Sequence, residues 1–211
     1  MAKSEETLLD KITSLAKRRG FIYQGSEIYG GLAGIYDYGP LGVELRHNIK
    51  QHFWNKFIID REDVYGMSAA ILMPERVWEA SGHTELFTDP LVECKICNER
   101  IRADQPEAIS DHEASHKKEK EKIEWSEPQV FNLLVGTKLG ASLKSATPVY
   151  LRGEITQGVH VNFKNVLDSM HPKLPFGIGQ IGKAFRNEIT PRDFLFRQRE
   201  FEQMELQYYI K

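Results

Sequence analysis

Two stretches near the C-terminal end, 183–189 and 197–210, constrain this chain more than any other feature. Both read as strands, and the turn-forming residues Thr190-Pro191-Arg192-Asp193 lie between them, so they predict an antiparallel hairpin. Strand residues alternate between faces. On the second strand Met204, Leu206, Tyr208 and Ile210 share one face, and Arg197, Arg199, Phe201, Gln203, Glu205 and Gln207 share the other. On the first strand Arg186 and Glu188 share a face. The apolar side is expected to be core. A polar face on an antiparallel sheet commonly meets solvent, but arginines and carboxylates around one aromatic ring can also hold an anionic, planar ligand.

The rest of the chain supplies the elements such a hairpin packs against. Leu8, Ile12 and Leu15 predict a helix over 5–19, capped by Ser4 or Thr7 and ended by Gly20. Residues 25–40 are glycine-rich and carry Tyr29, Tyr36 and Tyr38, which suits tight turns and short strands. Pro40 opens a second helix with Leu41, Leu45, Ile49, Phe53 and Phe57 at four-residue spacing, widened by Trp54 and Ile58. That face must be buried against the core or a second subunit, and core is the simpler expectation. Residues 64–73 read as a strand ended by Pro74, the core resumes at 130–135, and 148–155 and 158–163 read as further strands. The expected organisation is α+β, with core over 1–90 and 131–211 and a separate module over 91–130.

That module holds the only two cysteines, Cys94 and Cys97. So short a loop gains little from a disulfide, which leaves metal binding, redox chemistry or chance. His112 and His116 follow, giving C-x2-C-x14-H-x3-H. Histidines four apart share a helix face, and tetrahedral zinc with two thiolates and two imidazoles uses nearly this spacing. Ile109 stands where such a module needs a small core. The competing reading is a cysteine pair in a loop and two solvated histidines in a charged helix that runs on through Lys117–Lys122. A filled tetrahedral site would be structural, with no position left for catalysis.

Composition narrows the function. With 211 residues, 41% hydrophobic, 27% charged and a net charge of −2, the chain lacks the bulk positive charge of a protein that binds nucleic acid by charge alone. Lys17-Arg18-Arg19 is one local basic patch, and equally the basic last turn of a helix. No signal-peptide pattern and no apolar run of membrane-spanning length occurs, so a cytoplasmic protein is expected.

The segments Phe185-Arg186-Asn187-Glu188-Ile189-Thr190-Pro191-Arg192 and Phe196-Arg197-Gln198-Arg199-Glu200-Phe201-Glu202-Gln203-Met204-Glu205 closely resemble motif 2 of the homodimeric glycyl-tRNA synthetases, class II aminoacyl-tRNA synthetases. Ser26-Glu27-Ile28-Tyr29-Gly30-Gly31-Leu32-Ala33-Gly34, Tyr36-Asp37-Tyr38-Gly39-Pro40-Leu41-Gly42, Trp78-Glu79-Ala80-Ser81-Gly82-His83, Phe87-Thr88-Asp89-Pro90-Leu91-Val92, Phe131-Asn132-Leu133 and Lys173-Leu174-Pro175-Phe176 resemble further signatures of the family, in its order. The resemblance implies a six- to seven-stranded antiparallel sheet flanked by helices, with a zinc-finger-like insertion. It also implies a homodimer through motif 1, ATP with Mg2+, glycine and tRNA(Gly) as substrates, and a glycyl-adenylate intermediate.

By resemblance Arg186 holds the α-phosphate and Arg197 the terminal phosphates, as the catalytic pair. Asn187, Glu188, Phe196, Gln198, Arg199, Glu200 and Phe201 complete the ATP site, with Phe201 stacked on adenine and Glu188 reading its amino group. Arg102, Glu154, Phe201, Glu202, Gln203, Met204 and Glu205 form the amino-acid site, with Glu154 and Glu205 taking the substrate ammonium. Zn2+ falls on Cys94, Cys97, His112 and His116, where many family members instead carry two cysteine pairs. Another departure is Arg152-Gly153-Glu154-Ile155-Thr156-Gln157-Gly158, where the family usually has Arg-Pro-Glu-Thr-Ala-Gln-Gly; it is expected to shift or retune Glu154. The resemblance ends just after motif 2, so these 211 residues alone are expected to have little or no activity. The rival readings are a noncatalytic relative acting as a dimerising or nucleic-acid-binding module, and a class II ligase for another amino acid.

Overall fold

The computed structural model describes residues 7–116, 123–142, 145–189, 191 and 194–211. The Ser4 cap, the 117–122 charge run, and Thr190, Arg192 and Asp193 of the hairpin connection lie outside them. In chain order the elements are α1 (Leu8–Arg18), β1 (Ile22–Gln24), β2 (Tyr36–Tyr38), α2 (Pro40–Trp54), β3 (Val64–Gly66), β4 (Leu72–Pro74), α3 (Glu75–Ala80), α4 (His83–Leu86) and β5 (Thr88–Glu93). There follow β6 (Arg100–Arg102), α5 (Pro106–Ser115), β7 (Gln129–Asn132), β8 (Val135–Leu139), β9 (Thr147–Leu151), α6 (Thr156–Met170), β10 (Phe176–Phe185) and β11 (Glu200–Tyr209).

The hairpin forms, with ten consecutive antiparallel pairs from Phe176↔Tyr209 to Phe185↔Glu200. It starts earlier than the sequence predicts, and Arg186–Ile189 follow the first strand rather than belonging to it. β3 joins the other edge of β10 in parallel. The strands form one two-stranded and three three-stranded sheets among the described residues, rather than a single sheet of six or seven. Backbone bonds stitch these together: Phe185 N–H donates to Arg152 C=O and Asn187 N–H to Leu133 C=O, both 2.8 Å.

The Met204 face is not the core. Met204, Tyr208 and Ile210 are exposed, while Tyr209 on the opposite face packs against the cluster of Val159, Phe176 and Ile178. Glu202, on the Met204 face, instead meets Arg46 and Lys50 of α2. Residues 158–163, expected as strand, lie in α6. Val159, Phe163, Val166 and Leu167 all reach the same cluster, and this longer helical period overrides the local Val159/Val161/Phe163 alternation. The strand expected over 64–73 is two strands, β3 and β4, and the one expected over 148–155 ends at Leu151.

Thr7 caps α1 in a reciprocal box with Asp10: Thr7 Oγ1 accepts from Asp10 N–H at 3.2 Å, and Thr7 N–H donates to Asp10 Oδ2 at 3.0 Å. α2 docks by its far end. A Cβ at Gly66 would lie 2.6 Å from Trp54, and one at Gly179 would lie 2.8 Å from Ile58 in the helical turn Asn55–Ile59 that continues α2, so both glycines make room for the side chains that seat this end. Its leading half is not buried as core: Leu41, Leu45 and Ile49 are 50%, 52% and 50% exposed. A second core cluster, Met73, Trp78 and Leu134, packs with Phe87 and Tyr150 under α3 and β9. The segment expected as a separate module, 91–130, begins within β5 and ends within β7, and these two strands pair with each other. No helix among the described residues is long and apolar enough to cross a membrane.

Candidate functional site

Past the end of β10, Arg186 enters a cleft of about 590 Å³ whose walls include Arg102, Leu133, Glu188, Arg197, Phe201 and Glu202. The Arg186 guanidinium carbon lies 5.2 Å from the Phe201 ring centre and 5.1 Å from that of Phe87. Arg186 Nε donates to Gly153 C=O at 3.1 Å, and its backbone N–H to Arg199 C=O. The cation is thus held between two rings in reach of the cleft. Arg197 Nε stands 3.7 Å from Glu188 Oε2, a long ion pair on the same wall.

Arg102, from β6, lines the same cleft. Its Nη1 is 2.8 Å from Asp89, a buried carboxylate, and its Nε and Nη2 donate to both oxygens of Asp104 at 2.9 and 2.7 Å. This bidentate fork holds the Asp104 carboxyl below its ordinary range.

The remaining predicted ATP residues divide. Phe196 and Gln198 line the cleft, with Phe196 exposed and Gln198 Nε2 donating to Leu195 C=O at 2.9 Å. Arg199 is a clasp rather than a cleft group: Nε donates to Glu188 C=O at 2.8 Å, Nη1 to Ala33 C=O at 3.1 Å, and its N–H to Gly34 C=O. These bonds tie the glycine-rich segment to the hairpin. Glu200 pairs with Lys183, and Asn187 is held by its backbone.

The predicted amino-acid residues split by alternation. Gln203 and Glu205 face the start of α6. Gln203 Oε1 accepts from Ile155 N–H at 3.1 Å. Glu205 accepts from Thr156 Oγ1 at 2.6 Å and from Gln207 Nε2. Glu202 and Met204 face the other way and line the cleft that Arg186 and Phe201 share. Glu202 takes Lys50 Nζ at 3.0 Å and Arg46 Nε at 3.3 Å. Despite the altered segment, Glu154 sits at this end of α6. Its Oε1 receives Gln157 Nε2 at 2.7 Å and meets His83 Nε2 at 3.3 Å, while His83 Nδ1 shares a 2.9 Å hydrogen bond with Ser81 Oγ.

Arg152 underlies both halves. The residue is 2% exposed, and its guanidinium donates to Lys183 C=O at 2.6 Å and Ala69 C=O at 2.9 Å. Burial pulls its pKa down from the usual arginine value. Reading the residues alone gave no role to His83, Phe87, Thr156, Gln157 or Gln207. His83 and Phe87 stand in signature segments, but their partners are distant in sequence.

The four predicted metal residues converge. One ligand atom from each of Cys94, Cys97, His112 and His116 lies within 4.8 Å of every other. Tetrahedral zinc bonds of about 2.0–2.3 Å put donor atoms roughly 3.3–3.8 Å apart, so modest contraction suffices. Asn98, at φ 59°, turns the chain after the cysteine pair. His112 is buried, its Nδ1 is 3.4 Å from Glu99 and its ring is 5.4 Å from that of Trp125, an orienting arrangement of the kind metal-binding histidines use.

No protein-family model matches the chain. Glycine–tRNA ligases of Alkaliphilus oremlandii, Treponema denticola and Thermobifida fusca are 49%, 48% and 45% identical to it, over 98%, 96% and 100% of the chain. The chain spans 49%, 45% and 47% of those relatives, about half their length. Two structures of prolyl-tRNA synthetase from Cryptosporidium parvum, one with L-proline and AMP and one with halofuginone and AMPPNP, match with TM-scores of 0.56 and 0.58. Each is 16% identical and covers 98% of the chain, which covers 33% and 32% of theirs, a likeness of fold. The fold is that of class II aminoacyl-tRNA synthetases, and by sequence identity along nearly its whole length the chain belongs to the glycine–tRNA ligase family.

Proposed function

We propose that this chain forms the amino-acid-activating part of a glycine–tRNA ligase, binding ATP and glycine and joining them as glycyl-adenylate before transfer to tRNA(Gly). The observation that carries this reading is the meeting of Arg186 and Phe201 on one cleft wall, beside Arg197, Glu188 and Arg102.

The glycine carboxylate attacks the α-phosphorus as pyrophosphate leaves, so the protein needs no nucleophile. It positions the reactants and neutralises phosphate charge. Arg186 takes the α-phosphate, its planar fork matching two oxygens. To do so it leaves the ring face of Phe201, which adenine then takes; base–aromatic stacking contributes about 1–3 kcal/mol. Arg197 reaches the terminal phosphates, and Glu188 turns from Arg197 to the adenine amino group. Mg2+ would arrive with ATP, whose phosphate oxygens are the hard ligands it takes. Glu154 and Glu205 hold the substrate ammonium.

Zn2+ held by Cys94, Cys97, His112 and His116 would be structural, and residues 91–130 a module built around it. The uncovered leading half of α2 supports a homodimer through Leu41, Leu45 and Ile49. A tRNA-charging enzyme with unpaired cysteines fits the cytoplasm.

Calorimetric titration of the chain with ATP, and ATP–pyrophosphate exchange by the natural-length protein with glycine or alanine, test the reading. ATP binding and exchange that requires glycine are expected. Failure to bind ATP, or exchange driven by alanine, would overturn it.

A further inference from the structure

The first turn of α6 holds two carboxylates, one with each of two successive residues. Gln157 donates to Glu154 Oε1, which also meets His83, and so Oε2 is the oxygen these two leave. Thr156 Oγ1 lies 2.6 Å from Glu205 Oε1 and 2.9 Å from Oε2, and Gln207 Nε2 joins it on Oε1. Thr156 is the first residue of its helix. The preceding residue, Ile155, has no side-chain group to cap the helix and is fully buried. The Thr156 hydroxyl does not cap the helix either; it turns across to β11. A β-branched side chain has few χ1 rotamers open to it, so the hydroxyl has few positions to occupy, and the one it takes faces Glu205.

We propose that Thr156 is a positioning residue for the amino-acid substrate, fixing the Glu205 carboxylate so that it meets the substrate ammonium already oriented. The proposal rests on the reading of Glu205 as an ammonium ligand. Glycine offers no side chain, so the ammonium and carboxylate carry all of its recognition, and a freely rotating acid would weaken its capture. ATP lies against Arg186 and Phe201 and does not depend on this hydroxyl.

The test is steady-state ATP–pyrophosphate exchange by the natural-length protein with Thr156→Val, which keeps shape and removes the donor, and Thr156→Ser, which keeps the donor. The Val variant is expected to raise the KM for glycine about tenfold with the KM for ATP within twofold, and the Ser variant to restore it to within about threefold. Hydrogen exchange of α6 amides checks that the Val variant remains folded. An unchanged KM for glycine in a folded Val variant, or equal rises in both KM values, would overturn the proposal. A parent protein without any glycine response would instead overturn the functional reading, and this proposal with it.

Discussion

The hairpin and residues 91–130, proposed above as a module built around zinc, reach ordered side chains by opposite routes. In the hairpin, ten successive backbone pairs set the direction of every residue from Glu200 to Tyr209, so Phe201, Gln203 and Glu205 share a face whether or not anything is bound. In the module, β6 has three residues, and His112 is the buried residue of α5. Among the described residues of this segment, Leu91, Val92, Cys94 and Ile101 are the other buried apolar groups. So small a core seldom sustains a fold without a further link. A ladder makes geometry that chemistry then uses; a donor cluster makes geometry only when something joins the donors.

Removing metal should separate the two most sharply. Structural zinc contributes about 10–16 kcal/mol in small finger domains, so chelation should erase amide protection across 91–130 while β10 and β11 keep theirs. Hydrogen exchange reads this directly, and a module that stays protected without metal would erase the contrast. Next in size is Arg186→Ala. Loss of one positioned donor to developing charge typically costs 10²–10³ in rate, and glycine-dependent pyrophosphate exchange should fall by that order with the melting temperature little changed. Phe201→Ala should raise the KM for ATP roughly tenfold, from about 1–3 kcal/mol of lost stacking, and Phe201→Trp should restore it.

The smallest effect lies where the two regions meet. Arg102, which stands in the module and lines the cleft, holds Asp104 below the ordinary carboxylate range by hydrogen bonding. A depressed folded value stabilises the protein above the unfolded value of about 3.9, and that stabilisation is lost as pH falls through the folded value. Asp104 is partly exposed, so solvent screens the pair. Asp104→Asn should therefore flatten the acid limb of module stability only slightly, without moving its midpoint above pH 5.

Alternation in the hairpin was legible because a strand has a period of two, and the residue types in 186–205 carried the chemistry. Which face is buried was not legible. The apolar set Met204, Leu206, Tyr208 suggests core, yet the space on the other side belongs to Val159 and Phe176, whose approach depends on α6. α6 was misread in part because Val159, Val161 and Phe163 satisfy both periods over five residues. The cysteine–histidine spacing was legible since ligand geometry constrains local sequence. The supports of Glu154 and Glu205 were not, since His83 is 71 residues from Glu154, and Thr156 is 49 residues from Glu205.

The bare positions on β3 and β10 limit how this protein can diverge. A methyl at Gly66 or Gly179 would meet Trp54 or Ile58, and one at Gly182 would overlap the Arg152 guanidinium. These sites admit no side chain without moving a helix or a buried cation, so neutral drift is barred from them. Variation is steered to α1, which buries no residue, and a library seeking altered substrates gains most by sampling the first turn of α6 and leaving the sheet alone.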